Sequence, residues 1–366
     1  MVKRAGVLGA TGSVGQRFIL LLSKHPEFEI HALGASARSA GKPYKDAVSW
    51  KQTDILPASA QGVVVQECKP EGAFTECDIV FSGLDSDVAG DIEKAFVDAG
   101  LAVISNAKNY RREKDVPLVV PIINPEHLDI VENKVKAARA KGEEKKKTGF
   151  LICISNCSTA GLVAPLKPLV DKFGPIDALT ATTLQAISGA GFSPGVSGMD
   201  ILDNIVPYIS GEEDKLEWET KKILGTLNKE GTEVVNIPED EMKVSAQCNR
   251  VPVIDGHTEC ISLRFAQRPP PSVEEVKKTL REYVCEASKL GCHSAPKQTI
   301  NVLEQEDRPQ PRLDRERDNG YSVSVGRIRE DSLLDFKMVV LSHNTIIGAA
   351  GSGILIAEIL NARGLI

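Results

Sequence analysis

The chain has 366 residues, 42% of them hydrophobic, with 44 lysines and arginines against 50 acidic residues and a net charge of −6. That is enough chain for two domains with a core each, and the mild acidity offers no positive field for a nucleic-acid backbone, so small-molecule partners are expected. Its eight cysteines are scattered without a CxxC pair, which argues against a disulfide framework and for reduced thiols of a cytoplasmic protein. No apolar run reaches the length that spans a bilayer, so no membrane attachment is expected, and no metal site either.

From residue 3 to about residue 125, short apolar runs at 5–9, 29–34, 63–66, 78–82, 102–105 and 118–120 alternate with helix-like stretches. This is the pattern of a parallel sheet wound by crossover helices. The first run leads into Gly9-Ala10-Thr11-Gly12-Ser13-Val14-Gly15 and then an apolar helical stretch. Gly9 and Gly12 let the backbone turn tightly and approach a pyrophosphate, whose charge the N–H groups of the helix start can hold. The spacing is GxxGxxG, and a glycine turn that only packs helix on strand is the alternative. At the end of the second run an NAD site places an acid for the ribose hydroxyls; here Ser36, Arg38 and Ser39 stand instead. Hydroxyls and a cation suit a 2′-phosphate, so NADP(H) is expected, and Ser82, closing the fourth run, is assigned to the same cofactor site. The segment 133–147, NKVKAARAKGEEKKK, reads as a solvated helix or linker.

A buried strand at 150–154 leads into Ser155-Asn156-Cys157-Ser158-Thr159 and a helical run over 160–170. Cys157 then sits in a first helical turn, whose unpaired N–H groups favour a thiolate and a developing oxyanion; a buried, inert thiol is the alternative. Period-two segments at 244–253, 257–267, 299–304, 321–328 and 335–342 predict antiparallel strands. Ser272 and Glu275 stand at capping-box spacing before a helix striped by Val273, Val276, Leu280, Val284 and Ala287. If residues 249–256 form a strand and a turn, Arg250 and His257 converge on one cavity, where His257 can move protons. The glycine- and alanine-rich start of 345–360, followed by apolar residues, predicts a closely packed helix returning to the first domain. The fold expected is α/β: a Rossmann-like dinucleotide-binding domain over 1–149, completed by a helix at 345–366, and a second α+β domain of mainly antiparallel sheet over 150–344.

Gly9 to Gly15, Ser155 to Thr159, Ser188-Gly189-Ala190-Gly191, Gly211-Glu212-Glu213-Asp214-Lys215 and Arg250 to His257 resemble, in order, the aspartate-β-semialdehyde dehydrogenase family in its fungal and archaeal form. The similarity covers essentially the whole chain; the glycine motif is widely shared, whereas the cysteine, GEEDK and RVPVIDGH segments are specific. The resemblance implies that Cys157 is the nucleophile and His257 the acid/base, with Asn156 and Gln185 positioning the acyl group. It implies that Arg250 grips the substrate α-carboxylate, that Glu212 pairs with its ammonium, and that Lys215 and Arg112, or the adjoining Arg111, hold phosphate. Ser188, Gly189 and Asn344 are carried over to the nicotinamide end of the cofactor. The activity implied is NADPH-dependent reductive dephosphorylation of L-aspartyl-4-phosphate, in lysine, threonine, methionine and isoleucine biosynthesis, by a homodimer or homotetramer joined through the second, catalytic and dimerisation domain. The rivals are an N-acetylglutamyl-phosphate reductase, a malonyl-CoA reductase on the same scaffold, and an inactive NADP-binding regulator. The surroundings of the glycine and cysteine segments depart from those of the common bacterial enzymes, which bears on loop closure and half-site behaviour and not on the reaction.

Overall fold

A computed structural model describes residues 2–141, 148–192 and 195–366. The apolar runs of the first part form strands β1 (Lys3–Leu8), β2 (Phe28–Ala35), β3 (Gln66–Glu67), β4 (Ile79–Ser82), β5 (Ala102–Ser105), β6 (Leu118–Val119) and β7 (Phe150–Ile154). They make one parallel sheet in the order β3-β2-β1-β4-β5-β7-β6. Its strands other than the edge strand β3 are buried along most of their length, β4 and β5 throughout, because helices cover both faces of such a sheet. Among those helices are α1 (Ser13–Leu22), α2 (Ser86–Asp98) and α3 (Asp129–Ala140). Helix α3 takes up the first part of the charged segment; residues 142–147 lie outside the described residues.

The boundary expected at 149/150 is corrected by this sheet. Strand β7 pairs with both β5 and β6, so the first sheet runs to Ile154. The Lys/Glu-rich segment marked a change of composition, but hydrogen bonding decides which sheet a strand joins.

Helix α4 (Cys157–Phe173) leaves the end of β7 and packs on the second sheet. That sheet contains β8 (Ile176–Gln185) and, beyond a small antiparallel ribbon of β9 (Thr226–Leu227) and β10 (Val234–Val235), β11 (Lys243–Arg250), β12 (His257–Phe265), β13 (Ile300–Leu303), β14 (Val323–Glu330) and β15 (Phe336–Ser342). The order is β11-β8-β12-β15-β14-β13. The three central pairings are antiparallel, but β11 and β13, both read as antiparallel, join the edges in parallel. Period-two burial reports one covered face and carries no information on strand direction.

Three further helices are α5 (Glu212–Ile223), α6 (Val273–Glu282) and α7 (Gly351–Ala362). The capping box of α6 forms as expected, Ser272 Oγ accepting from the Glu275 N–H and the Glu275 carboxylate accepting from the Ser272 N–H. The helix stops before Val284 and Ala287, correcting the longer stripe: Tyr283 turns extended, and the Cys285 N–H goes to Thr299 Oγ1 instead of up a helix. The C-terminal helix α7 is buried for nearly its whole length and packs against α1 and β5, which supports assigning it to the first domain. No helix among the described residues is long and apolar enough to cross a membrane.

Candidate active site

At the carboxyl end of the first sheet, Gly9 takes φ +69°, and a Cβ there would lie 2.6 Å from the Gly83 carbonyl oxygen; a Cβ on Gly15 would lie 2.1 Å from Gly9 O. Only glycine permits this turn and this approach of helix to loop. Gly12 is the N-cap of α1 and offers no side chain to its first turn, so the N–H groups of that turn remain for an anion. Thr11, Ser13 and Val14 lie on the same loop and helix start, and Ser13 and Val14 line the central cavity. Beyond β2, Ser36 and Arg38 are exposed and Ser39 half-buried. Among the described residues Arg38 forms no side-chain hydrogen bond or ion pair. Glycine cradle, open helix start and unengaged cation fit a dinucleotide bearing a 2′-phosphate. Ser82, expected at the same site, is fully buried at the end of β4, with its hydroxyl against Glu93.

A single cavity of about 530 Å³ runs from Ser13 and Val14 to Cys157, Gln185, Ser188, Gly189, Glu212, Lys215, Arg250 and Asn344. Asn156 caps α4: its Oδ1 accepts from the N–H groups of Ser158 at 2.9 Å and Thr159 at 3.2 Å. This places Cys157 in the first turn. The Cys157 Sγ lies 3.2 Å from His257 Nε2. His257 Nδ1 accepts the Ala186 N–H at 3.0 Å, so in the neutral ring the proton sits on Nε2 and points at sulfur. Burial, helped by Arg250, pushes His257 down to about 3, and burial pushes the Cys157 thiol up to about 12, with Glu212 adding to the rise and Arg250 opposing it. The resting pair is therefore neutral thiol and neutral imidazole, with His257 placed as a donor to sulfur.

Glu212, which by its spacing from Lys215 could have been half of a solvated i,i+3 pair, is 5% exposed. Its carboxylate accepts from Asn156 Nδ2 at 2.7 Å, Gln185 Nε2 at 3.1 Å and Lys215 Nζ at 2.9 Å. Burial alone would raise its pKa, but Lys215 and the two amides outweigh burial and hold it below the usual carboxylate value. Arg250, at the end of β11, donates Nη1–H to Ala186 O at 2.7 Å and lines the cavity beside Gly189. Asn344 ties the cavity wall together, accepting from the Gly256 N–H and donating to Ser188 Oγ, both at 2.8 Å.

The structure separates the two neighbouring arginines. Arg112 is exposed, paired with Asp214 at 2.8 Å and stacked 4.4 Å over Trp218, outside the cavity. Arg111 lines it, 5% exposed, with Nη1 on Glu219 and Nη2 on Asn106 O, both at 2.8 Å. Of the two candidates for phosphate, Arg111 faces the cavity and Arg112 does not. Sequence reasoning also missed Glu219 and Gly348. A Cβ on Gly348 would sit 2.9 Å from Cys157 Cβ. The only sequence signal for Glu219 was its place seven residues after Glu212, on the same helical face.

Fold and cavity define the class, a two-domain dehydrogenase that works with a nicotinamide dinucleotide. Residues 4–131 match the family described as semialdehyde dehydrogenase, NAD binding domain, and residues 166–347 match semialdehyde dehydrogenase, dimerisation domain. The chain is 85% identical to the aspartate-semialdehyde dehydrogenase of Candida albicans over 365 residues, covering 100% of both chains. It is 75% identical to that of Saccharomyces cerevisiae over 364 residues, covering 100% of this chain and 99% of the other. A crystal structure of the Candida albicans enzyme with NADP superposes with a TM-score of 0.95 at 84% identity, covering 100% of each chain. Aspartate semialdehyde dehydrogenase II of Vibrio cholerae, complexed with ASA, superposes at 0.73 with 25% identity, covering 99% of this chain and 98% of the other. The chain belongs to the aspartate-semialdehyde dehydrogenase family.

Proposed function

We propose that the chain catalyses the NADPH-dependent reductive dephosphorylation of L-aspartyl-4-phosphate to L-aspartate-4-semialdehyde, and its reverse, through a thioester at Cys157. The reaction stands in the biosynthesis of lysine, threonine, methionine and isoleucine, in the cytoplasm, and the working unit is a homodimer or homotetramer joined through the second domain. The observation that carries this reading is the single cavity in which a glycine cradle and a helix-capped cysteine meet an arginine, a lysine and an ionised glutamate.

The residues divide the work by charge. Arg250 offers a planar pair of donors to the α-carboxylate, and Glu212, kept ionised, faces the α-ammonium, a charge that the blocked amine of N-acetylglutamyl phosphate lacks. Arg111 and Lys215 hold the phosphate. The sulfur of Cys157 attacks the acyl carbon, the C–S bond forms, the C–O bond to phosphate breaks, and the thiol proton leaves with the phosphate. The Cys157 N–H at the start of α4, with the side-chain amides of Asn156 and Gln185, holds the acyl oxygen. NADPH, when bound, supplies the hydride that reduces the thioester carbon. The tetrahedral alkoxide so formed on Cys157 collapses to the aldehyde, the C–S bond breaks, the Nε2–H of His257 hydrogen-bonds the sulfur as it departs charged, and a proton from solvent restores the thiol. Accepting a proton on His257 would place Nδ1–H against the Ala186 N–H, so the acid/base role read from resemblance narrows to donation from a neutral ring.

The assay is NADPH formation from aspartate semialdehyde, phosphate and NADP⁺. The wild-type chain turns over only with all three present, and Cys157→Ser abolishes turnover while NADPH still binds, because the glycine cradle does not depend on the thiol. An active Cys157→Ser variant would end the thioester mechanism.

A further inference from the structure

Helix α5 carries Glu212, Lys215, Glu219 and Lys222 at intervals of three, four and three, which brings all four to one helical face. Glu219 has no exposed surface, and a bare buried carboxylate is costly unless its oxygens are engaged. Each is. Oε2 accepts the Asn156 N–H at 2.7 Å, and Oε1 accepts Arg111 Nη1–H at 2.8 Å. One turn further, Lys222 donates to the carbonyl oxygens of Arg111 at 2.8 Å and Val116 at 2.9 Å, as well as to that of Glu113. The loop bearing Arg111 is thus held at its backbone by Lys222 and at its guanidinium by Glu219, while the second oxygen of Glu219 holds the residue directly before the nucleophile.

We propose that Glu219 is a positioning residue that sets the phosphate-holding guanidinium and the N-terminus of the nucleophile helix in one frame. The proposal rests on the function given above. Charge-assisted bonds of this length are strong and directional. With Oε1 on Arg111 and Oε2 on Asn156, the two groups cannot move apart without breaking one of them. Phosphate drawn to Arg111 is thereby delivered at a fixed distance from the acyl carbon on Cys157, where in-line approach depends on placement to a fraction of an ångström. A buried ion pair that served only folding would have no reason to affect phosphate more than the other reactants.

Glu219→Gln keeps the size of the side chain and replaces one acceptor with an NH2 group, so it cannot serve both donors. In the direction of aldehyde oxidation, the KM for phosphate should rise roughly ten-fold or more. The first-turnover burst of NADPH in the absence of phosphate, which requires only the aldehyde, NADP⁺ and Cys157, should persist at close to one per site, and NADPH affinity should hold within about two-fold. In the double variant with Arg111→Lys, the phosphate KM should be no worse than in the worse single variant, since both changes break one arrangement. A phosphate KM within two-fold of wild type, strictly additive effects, or an equal loss of burst and steady state would overturn the positioning role. Should Glu219→Gln not fold, Glu219→Asp keeps the charge with a shorter reach and is judged by the same measurements. Wild-type protein without phosphate-dependent turnover would overturn the function itself; an active wild type with an unshifted variant overturns only this inference.

Discussion

Arg38 shows how one exposed side chain can be read for its role. It stands at the end of β2 with no partner among the described residues, so it contributes little to the fold and is free to meet a charged group. Arg38→Ala should weaken NADPH binding roughly ten-fold or more while changing NADH binding little, because only the former has a phosphate for the guanidinium. Fluorescence titration with both cofactors checks this, and equal losses would make Arg38 structural. The neighbouring pair Arg111 and Arg112 teaches the converse. Both are cations in one loop and look alike in sequence, but one turns inward to Glu219 and the other outward to Asp214 and Trp218. Loop backbone direction decided it, and no periodicity reports that.

At the scale of elements, the site is made where the ends of elements meet. Helix α4 begins on its nucleophile, and the segment Ile346–Ala350, kinked at Ala349 with φ −156° and ψ −111°, runs past that start before α7 begins. Gly348 is the point of contact. In Gly348→Ala the new methyl would press on Cys157 Cβ at 2.9 Å and on its Cα and carbonyl oxygen at 3.1 Å, and because those atoms open α4, the sulfur must shift with them. We expect kcat/KM to fall by about ten-fold or more with NADPH affinity nearly unchanged. Unchanged kinetics would show that the kinked segment yields in place of the nucleophile. The glycine- and alanine-rich composition announced close packing here, but which partner is packed against was invisible in the sequence.

For the whole molecule, two buried histidines link the domains to pH. His127 lies in the first domain; its Nε2 pairs with the Gly225 carbonyl beyond α5 at 3.3 Å, and its Nδ1 accepts from Asn124 Nδ2 at 3.0 Å. Burial holds it down to about 4, and His257 to about 3. A lowered histidine pKa means that the unfolded chain takes up protons first as pH falls below about 6.5. Stability is therefore intact above that value and declines as pH falls toward 4 and then 3, by up to a few kcal/mol per group. The Tm should drop between pH 7.5 and pH 5, and His127→Gln, which retains a donor and an acceptor but cannot ionise, should show a shallower drop. An identical slope in the variant would place the acid sensitivity elsewhere.

The sequence alone determined what local chemistry can determine: a parallel sheet with a glycine turn, a cysteine at a helix start and a capping box at Ser272. These follow from period, from the special backbone needs of glycine and from which residues can cap a helix, all properties of a few neighbouring positions. Family resemblance supplied the roles proposed for Glu212, Lys215 and Arg250, which spacing alone could not separate from a solvated helix face and an ordinary strand. Only the tertiary structure decided that β7 closes the first sheet, that β11 and β13 lie parallel at the edges of the second, that Ser82 turns into the core, and that Arg111 rather than Arg112 enters the cavity. It alone revealed that one buried carboxylate, Glu219, holds both Asn156 and Arg111. Each of these depends on contacts between residues far apart in the chain, where direction and partner are set by packing and hydrogen-bond satisfaction across the whole molecule.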